Sequence, residues 1–312
     1  MSIPFEGPEK KLEIILKTPL RELRSNADGR WTEVVHSCGA KIVSSTSLSS
    51  LDAYLLSESS LFLWDDRILI ITCGTTSLID AVQPIVNLVS RENIAFFFYE
   101  RKNLMYPHLQ RSDFEMDARD LAAQFTGKSY RLGPANDDHI HIFYHSTPGR
   151  EVENDITLEI LMHDLHPEVL EAFMPRQDEP VEAMERRTGI ATLYPAMLKD
   201  SYQFEPYGYS LNKIADDTYL TVHVTPEPGG SYASFETNVH EEDYSGTINR
   251  VVEIFRPRRF SLVVTGSQDE HQTPQEELLP RRVGGYHRTE NSFYEFDSGY
   301  AVSFRNYVKA EH

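Results

Sequence analysis

The chain has 312 residues, two cysteines and a formal charge of −18. Its length suffices for one large domain or two ordinary ones with a buried core, and its charge argues against nucleic acid or an anionic membrane surface as a partner, since both repel an acidic protein; a cationic ligand fits better. Cys38 and Cys73 are too few to frame a chain of this size with disulfides, the first residues lack the pattern of a signal peptide, and no apolar run approaches the ~20 residues that span a bilayer, so a soluble cytoplasmic protein is expected.

Strand patterns dominate from the start: LEIIL from Leu12, KIVSS from Lys41, AYLLS from Ala53, RILIIT from Arg67, IAFFFY from Ile94 and HIHIFYH from His139. Later come TLEILM, YLTVHV, YASFET, FSLVV, SFYEF and YAVSF, many of them alternating apolar and polar residues as half-buried antiparallel strands do. Helical periodicity is clearest over residues 77–89, 117–125, 167–173 and 244–255. Many strands with segregated helices predict an α+β protein whose sheets carry helices on one face. The rough order of elements recurs in the two halves without a residue-level repeat. Residues 24–29, 147–154 and 266–277 are polar or rich in Gly and Pro and are expected to be the least ordered. His139, His141 and His145 share one face of a regular strand, but their spacing matches no zinc signature, so a partly exposed strand is expected and no metal. The acidic stretch 269–277 reads as a solvated loop, and no P-loop or dinucleotide-binding fingerprint is present.

The most informative feature is the pairing of Ser59 in YLLSESSLF (54–62) with Cys73 in TCGTT (72–76). Ser59 follows Glu58 between apolar flanks, where its backbone can be held in strain. Around this pair stand FEGPEKKLE (5–13), FFFYERKN (96–103), TLEIL (157–161), FEPYGYS (204–210), TVHVTPEP (221–228) and SYASFETN (231–238). Together, in this order and over most of the chain, the blocks resemble eukaryotic-type S-adenosylmethionine decarboxylase.

That resemblance implies a single domain with a four-layer αββα sandwich of two face-packed antiparallel sheets, helices outermost and one sheet from each half. It also implies a proenzyme that cuts itself between Glu58 and Ser59, leaving a small β chain of residues 1–58 associated with a large α chain of residues 59–312. The hydroxyl of Ser59 attacks the Glu58 carbonyl, and the resulting ester eliminates to leave a pyruvoyl cofactor on the large chain. Such a step needs an oxyanion donor and a base. By resemblance Ser210 supports the acyl shift and His223 takes the α-proton. The substrate amine is then expected to form a Schiff base at the former Ser59, with Cys73 as proton donor after carbon dioxide leaves. Its place between a strand and a helix starting near Ser77 predicts a thiol whose ionisation is favoured by the helix N-terminus.

Phe5 and Phe204 match the phenylalanines that sandwich the adenine, Glu227 the carboxylate on the ribose hydroxyls, and Glu6 and Glu9 carboxylates lining the same region. Glu13, Asp155, Glu159 and Glu236 correspond to the buried acids that hold putrescine in animal members. Here the chain departs from the family pattern: Lys11 replaces an apolar residue, Ile71 a lysine and Thr265 an aromatic. Lys11 lies two residues from Glu13 on one strand face and is expected to take part of the diamine's place, so that putrescine activates weakly or not at all. The expected reaction converts S-adenosylmethionine to carbon dioxide and the decarboxylated aminopropyl donor of spermidine synthesis. Rival readings are a pyruvoyl-dependent ornithine or arginine decarboxylase, against which Phe5, Phe204 and Glu227 argue, and a non-enzymatic regulatory paralogue, against which Ser59, Cys73, Ser210 and His223 argue. Monomer and homodimer of the cleaved pair both stay open.

Overall fold

A computed structural model describes residues 5–147, 155–227, 229–267, 275–296 and 299–310, without the side chains of residues 275 and 276. Most of the segments expected to be least ordered around 147–154 and 266–277 therefore lie outside the described residues. Residues 24–29 do not, and they are held in place. Arg24 donates to the carbonyls of Leu48 and Ser49 and to Asp52, while Asn26 accepts from the Trp31 N–H at 2.9 Å. A polar loop whose side chains replace the missing backbone partners has no reason to be loose.

The chain forms two compact units, each built on one eight-stranded sheet. The first takes its described residues from 1–131, 139–150 and 214–217, the second from 132–138, 151–213 and 218–312. Strands of the first sheet are β1 (Lys10–Leu16), β2 (Ile42–Ser47), β3 (Asp52–Leu56), β4 (Ser59–Leu63), β5 (Arg67–Thr72), β6 (Ile94–Lys102), β7 (Lys128–Leu132) and β8 (Ile140–Ser146), with helices α1 (Arg30–Ser37), α2 (Ile79–Val89) and α3 (Phe114–Ala122). The second has β9 (Ile156–Leu165), β10 (Leu198–Gln203), β11 (Tyr209–Ala215), β12 (Thr218–Thr225), β13 (Tyr232–Thr237), β14 (Pro257–Ser267), β15 (Tyr286–Glu295) and β16 (Tyr300–Lys309), with α4 (Pro167–Phe173), α5 (Val181–Thr188), α6 (Ser245–Phe255) and the short α7 (Gln275–Leu278). The α+β class and the antiparallel sheets agree with the expectation. No helix among the described residues is long and apolar enough to cross a membrane.

Sheet order in the first unit is β2-β3-β4-β5-β1-β6-β8-β7, and in the second β10-β11-β12-β13-β9-β14-β16-β15, which is the same order advanced by eight strands. At the centre of each sheet one triplet is shared, Leu12-Glu13-Ile14 of β1 and Leu158-Glu159-Ile160 of β9. Period-two alternation explains why this triplet survives. Leu12 and Ile14 pack with Ile70, Phe97 and Tyr99 against Trp31, Val82 and Ile85 of the helices, and Leu158 and Ile160 join Val222, Phe235 and Leu262 against Phe173, Ile248 and Phe255. Each fully buried Leu or Ile contributes about 1.5–3 kcal/mol. The intervening glutamates stand on the other face of their sheets and are buried there, Glu13 between Leu69 and Phe98 in register and Glu159 between Glu236 and Val263.

Strands β4, β7, β10 and β11, helices α1 and α5 and the short α7 have no counterpart in the sequence reading, although β4 is buried throughout and α1 buries Trp31, Val34 and Val35 at helical spacing. Strand β10 is half exposed on both sides, β7 is a polar edge strand, and β11 buries Asn212 and Lys213 on opposite faces, so none of them alternates. Two helix starts also shift. Asp113 caps α3 by accepting from the Met116 N–H at 2.8 Å, which starts it before residue 117, and α2 begins at Ile79 rather than 77.

Candidate active site

Strands β3 and β4 form a hairpin in which Leu56 pairs with Ser59, leaving only Ser57 and Glu58 in the turn. Two-residue hairpins favour turns with positive φ at the central residues, because that twist matches the strands. Neither Ser57 nor Glu58 has one. The irregularity falls instead on Ser59, whose φ is +134°, a conformation that side-chain-bearing residues rarely adopt. In the corresponding hairpin of the second unit, between β11 and β12, the positive φ of 51° sits on the turn residue Asp216, where an aspartate tolerates it. Ser59 is thus both strained and buried, at 1% exposure.

The Glu58 carbonyl oxygen, on the peptide bond that precedes Ser59, accepts two hydrogen bonds from Cys73. Its backbone N–H donates at 3.0 Å and its thiol at 3.4 Å. Strand pairing brings them together: Ser59 lies opposite Thr72, so the residue before the one meets the residue after the other. The thiol is not activated as the helix position suggested. Burial, then the Glu58 and Glu9 carboxylates, push its pKa well up, against a smaller opposing effect of Lys10. Helix α2 starts six residues beyond Cys73, too far for its N-terminus to prevail. A thiol that stays protonated suits a proton donor.

Gly74 follows, with φ +63°. A Cβ there would lie 2.6 Å from Glu58 Oε2 and 3.1 Å from the Phe5 ring, so only glycine fits between these two groups. The Gly74 N–H donates to the Glu6 carbonyl at 2.7 Å, and its own carbonyl receives Lys10 Nζ and Gln110 Nε2, each at 3.1 Å. Burial pushes the Glu58 carboxyl up to about 7, with Lys10 opposing, and its Oε2 has no hydrogen-bond partner among the described residues. The Glu6 carboxylate is fully engaged, accepting the Met105 and Tyr106 N–H groups at 2.8 and 2.6 Å; burial raises its pKa, those bonds opposing. Glu9 is buried, and its carbonyl accepts the Lys102 N–H.

In the second unit His223 of β12 is buried between Thr221 and Ser234. The Thr221 hydroxyl donates to Asn212 Oδ1 at 2.9 Å, so towards His223 Nε2, 3.1 Å away, its oxygen accepts. That places the imidazole proton on Nε2 and leaves Nδ1, 3.4 Å from Ser234 Oγ, as the acceptor. Ser210 is buried on β11 two residues from Asn212, hence on the same face. Phe204 packs edge-on to Tyr202, with ring centroids 4.8 Å apart, and lies against Gly208. Tyr207 in that turn donates to Glu227 Oε1 at 3.0 Å, tying the aromatic segment to the acid.

The four acids of the expected activator group have distinct surroundings. Glu13 is buried and pairs with Arg67 at 3.3 Å. Lys11, on the same face of β1 and between Ile71 and Glu100 in register, is 4% exposed, with Nζ 5.8 Å from the Phe98 ring centroid. In the second unit Glu236 and Glu159 are directly opposite on β13 and β9, Glu236 accepts from the Tyr219 hydroxyl, and Asp155 accepts from Tyr300 at 2.5 Å. Thr265 lies opposite Thr157 on the adjacent strand pair. The strand histidines have aromatic neighbours: His141 stacks on Phe114 and His145 tilts over Phe125.

Comparison with known proteins bears on what these groups do. The family profile described as Adenosylmethionine decarboxylase matches residues 2–308. The chain belongs to that family. It is similar to S-adenosylmethionine decarboxylase proenzymes from Dictyostelium discoideum, 33% identical over 98% of this chain and 86% of that protein, and from Xenopus laevis, 34% identical over 98% and 96%. Among solved structures it resembles one described as "Crystal structure of Trypanosoma brucei AdoMetDC-delta26 monomer", with a TM-score of 0.62 and 26% identity over 80% of this chain and 99% of that one. Within this family member the sequence reading did not single out Lys10, Gly74, Gln110, Arg67, Tyr207 or the Thr221–Asn212 pair. Their contacts join residues up to 100 positions apart, which local pattern does not carry.

Proposed function

We propose that this chain decarboxylates S-adenosylmethionine, releasing carbon dioxide and the decarboxylated aminopropyl donor of spermidine synthesis, after cutting itself between Glu58 and Ser59. The observation that carries the self-cleavage is the strained Ser59 beside a carbonyl already held by two donors from Cys73. Attack by Ser59 Oγ on the Glu58 carbon breaks the C–N bond and moves the hydroxyl proton to the freed nitrogen. Strain at Ser59 is relieved on the way, and the Cys73 N–H, aided by Ser210, takes the negative charge that develops on oxygen. His223 then removes the Ser59 α-proton and the Glu58 carboxylate departs from the β-carbon, leaving dehydroalanine; that enamine takes a proton at its β-carbon to become an imine, and water replaces the imine nitrogen with loss of ammonia.

The surroundings of Ser59 fit a pyruvoyl group, since Ser59 is buried and the carbonyl before it is held by the Cys73 N–H and thiol. When present, that group supplies the electron sink for decarboxylation. The chain's own residues do the rest. Cys73, kept protonated by burial, delivers a proton to the substrate carbon. Phe5 and Phe204 hold the adenine, Glu227 with its Tyr207 partner the ribose, and Glu6 fixes the segment carrying Phe5. Glu9 adds negative potential that favours the sulfonium.

Carbon dioxide release from S-adenosylmethionine, ornithine and arginine, each carboxyl-labelled in turn, tests this reading. The expected result is release from S-adenosylmethionine alone; release from ornithine or arginine contradicts it. The same assay tests activation. Buried Lys11 and the Arg67–Glu13 pair supply the first unit's acids with cations, so little is left for a diamine to contribute. Wild-type activity is expected to stay within about twofold across a putrescine titration, and Lys11→Leu to become putrescine-stimulated. Strong stimulation of the wild type counts against the pre-filled site.

A further inference from the structure

Lys10 is 2% exposed, and no step of the reaction above uses it. Its ammonium donates to the Gly74 carbonyl and to Gln110 Oε1, while Gln110 Nε2 donates to the same Gly74 carbonyl. All three contacts are 3.1 Å, a closed triangle of hydrogen bonds around one carbonyl oxygen. On the other side of the same residue the Gly74 N–H is fixed to Glu6, and the Cys73 carbonyl accepts the Thr76 hydroxyl at 2.6 Å. We propose that Lys10 is a positioning residue for self-cleavage: with Gln110 it clamps the Gly74 carbonyl and so holds the Cys73 N–H on the Glu58 carbonyl oxygen.

The proposal rests on the self-cleavage reading and adds a residue to it. A glycine at positive φ must turn the chain here, and glycine itself gives the turn no rigidity. An oxyanion donor is useful only if it is held where charge develops. The neighbouring Cys73 peptide therefore needs an external clamp, and a charged donor makes the stronger one. Packing alone does not explain a lysine, because burying an ammonium is costly where a methionine would fill the space. The cost is offset by Glu6, Glu58 and Asp117, with Arg101 opposing and the Cys73 thiol in the same field. Burial first, then Arg101, pushes the Lys10 pKa down to about 8. Deprotonation removes both the stronger donor and the positive potential, so self-cleavage slows as pH rises through that value.

The test follows conversion of newly synthesised full-length chain into two pieces by denaturing gel, in cell-free synthesis, from pH 6.5 to 9 in ~0.5 steps. Lys10→Met is expected to slow cleavage about 10- to 100-fold, the order of one hydrogen bond from a charged donor, and to accumulate uncut chain resistant to hydroxylamine because the delay precedes the ester. Lys10→Arg should recover most of the rate and carry the alkaline fall to higher pH. Gln110→Leu, which leaves the buried charge in place, should slow cleavage several-fold, and it keeps the test open if Lys10→Met does not fold. Wild-type rates in Lys10→Met or Gln110→Leu overturn the proposal, as do equal rates and pH profiles for the Met and Arg variants. A Ser59→Ala chain runs alongside. If that chain is cut, or the wild type is not, the self-cleavage reading itself fails, whatever Lys10 does.

Discussion

Ser59→Ala is expected to leave one uncut chain with no decarboxylase activity above background. The alanine keeps the Cβ and hence the strain of φ +134°, but it has no oxygen to attack the Glu58 carbonyl. Ser59→Gly should be equally uncut and should separate strain from nucleophile. Glycine adopts that φ without penalty, so this variant is expected to be more stable to denaturant than Ser59→Ala by about 1–3 kcal/mol. Equal stabilities would mean that the turn is relaxed and that Ser59 has no ground-state push. Cleavage of the alanine variant at Glu58 would remove Ser59 from the mechanism altogether.

His223→Ala is expected to stop one step later. Ester formation needs a polarised carbonyl, supplied by Cys73 in the first unit, whereas elimination needs a base for the α-proton. Nδ1 of His223 is the acceptor nitrogen because Thr221, bonded to Asn212, fixes the proton on Nε2. Loss of a positioned base costs about 10²–10⁴ in rate, so the variant should accumulate an internal ester that hydroxylamine cuts at Glu58. Asn212→Leu, which frees Thr221 to turn its proton towards the ring, should show a weaker form of the same block. An uncut His223→Ala chain resistant to hydroxylamine would assign the base elsewhere.

Much of the fold is legible in the sequence. The central strands β1 and β9, the strand carrying His223 and the helices at 167–173 and 244–255 follow from alternation or helical periodicity, because their apolar faces bury fully. The motif around Ser59 carries the resemblance on which its proposed chemistry rests, and the backbone strain expected there from its flanks is present. What the sequence did not carry was conformational or long-range. Nothing in LSESS says that positive φ falls on Ser59 instead of the turn residues, and nothing near Cys73 says that burial, reinforced by two carboxylates, outweighs a helix end. Lys10 and Lys11 are adjacent in sequence and both buried, yet strand alternation sends them to opposite faces, one to the Gly74 carbonyl and the other towards Phe98. Glu6 read as a substrate carboxylate, but both its oxygens are taken by backbone N–H groups.

The central claim is that this polypeptide makes its own cofactor at Ser59, and the intact mass of the purified wild-type protein under denaturing conditions tests it most directly. The account predicts two species, residues 1–58 with a free carboxyl at Glu58 and residues 59–312 lighter by the mass of ammonia than a chain beginning with serine. A single species with the mass of the full-length chain, or a large fragment that begins with an intact serine, would contradict it.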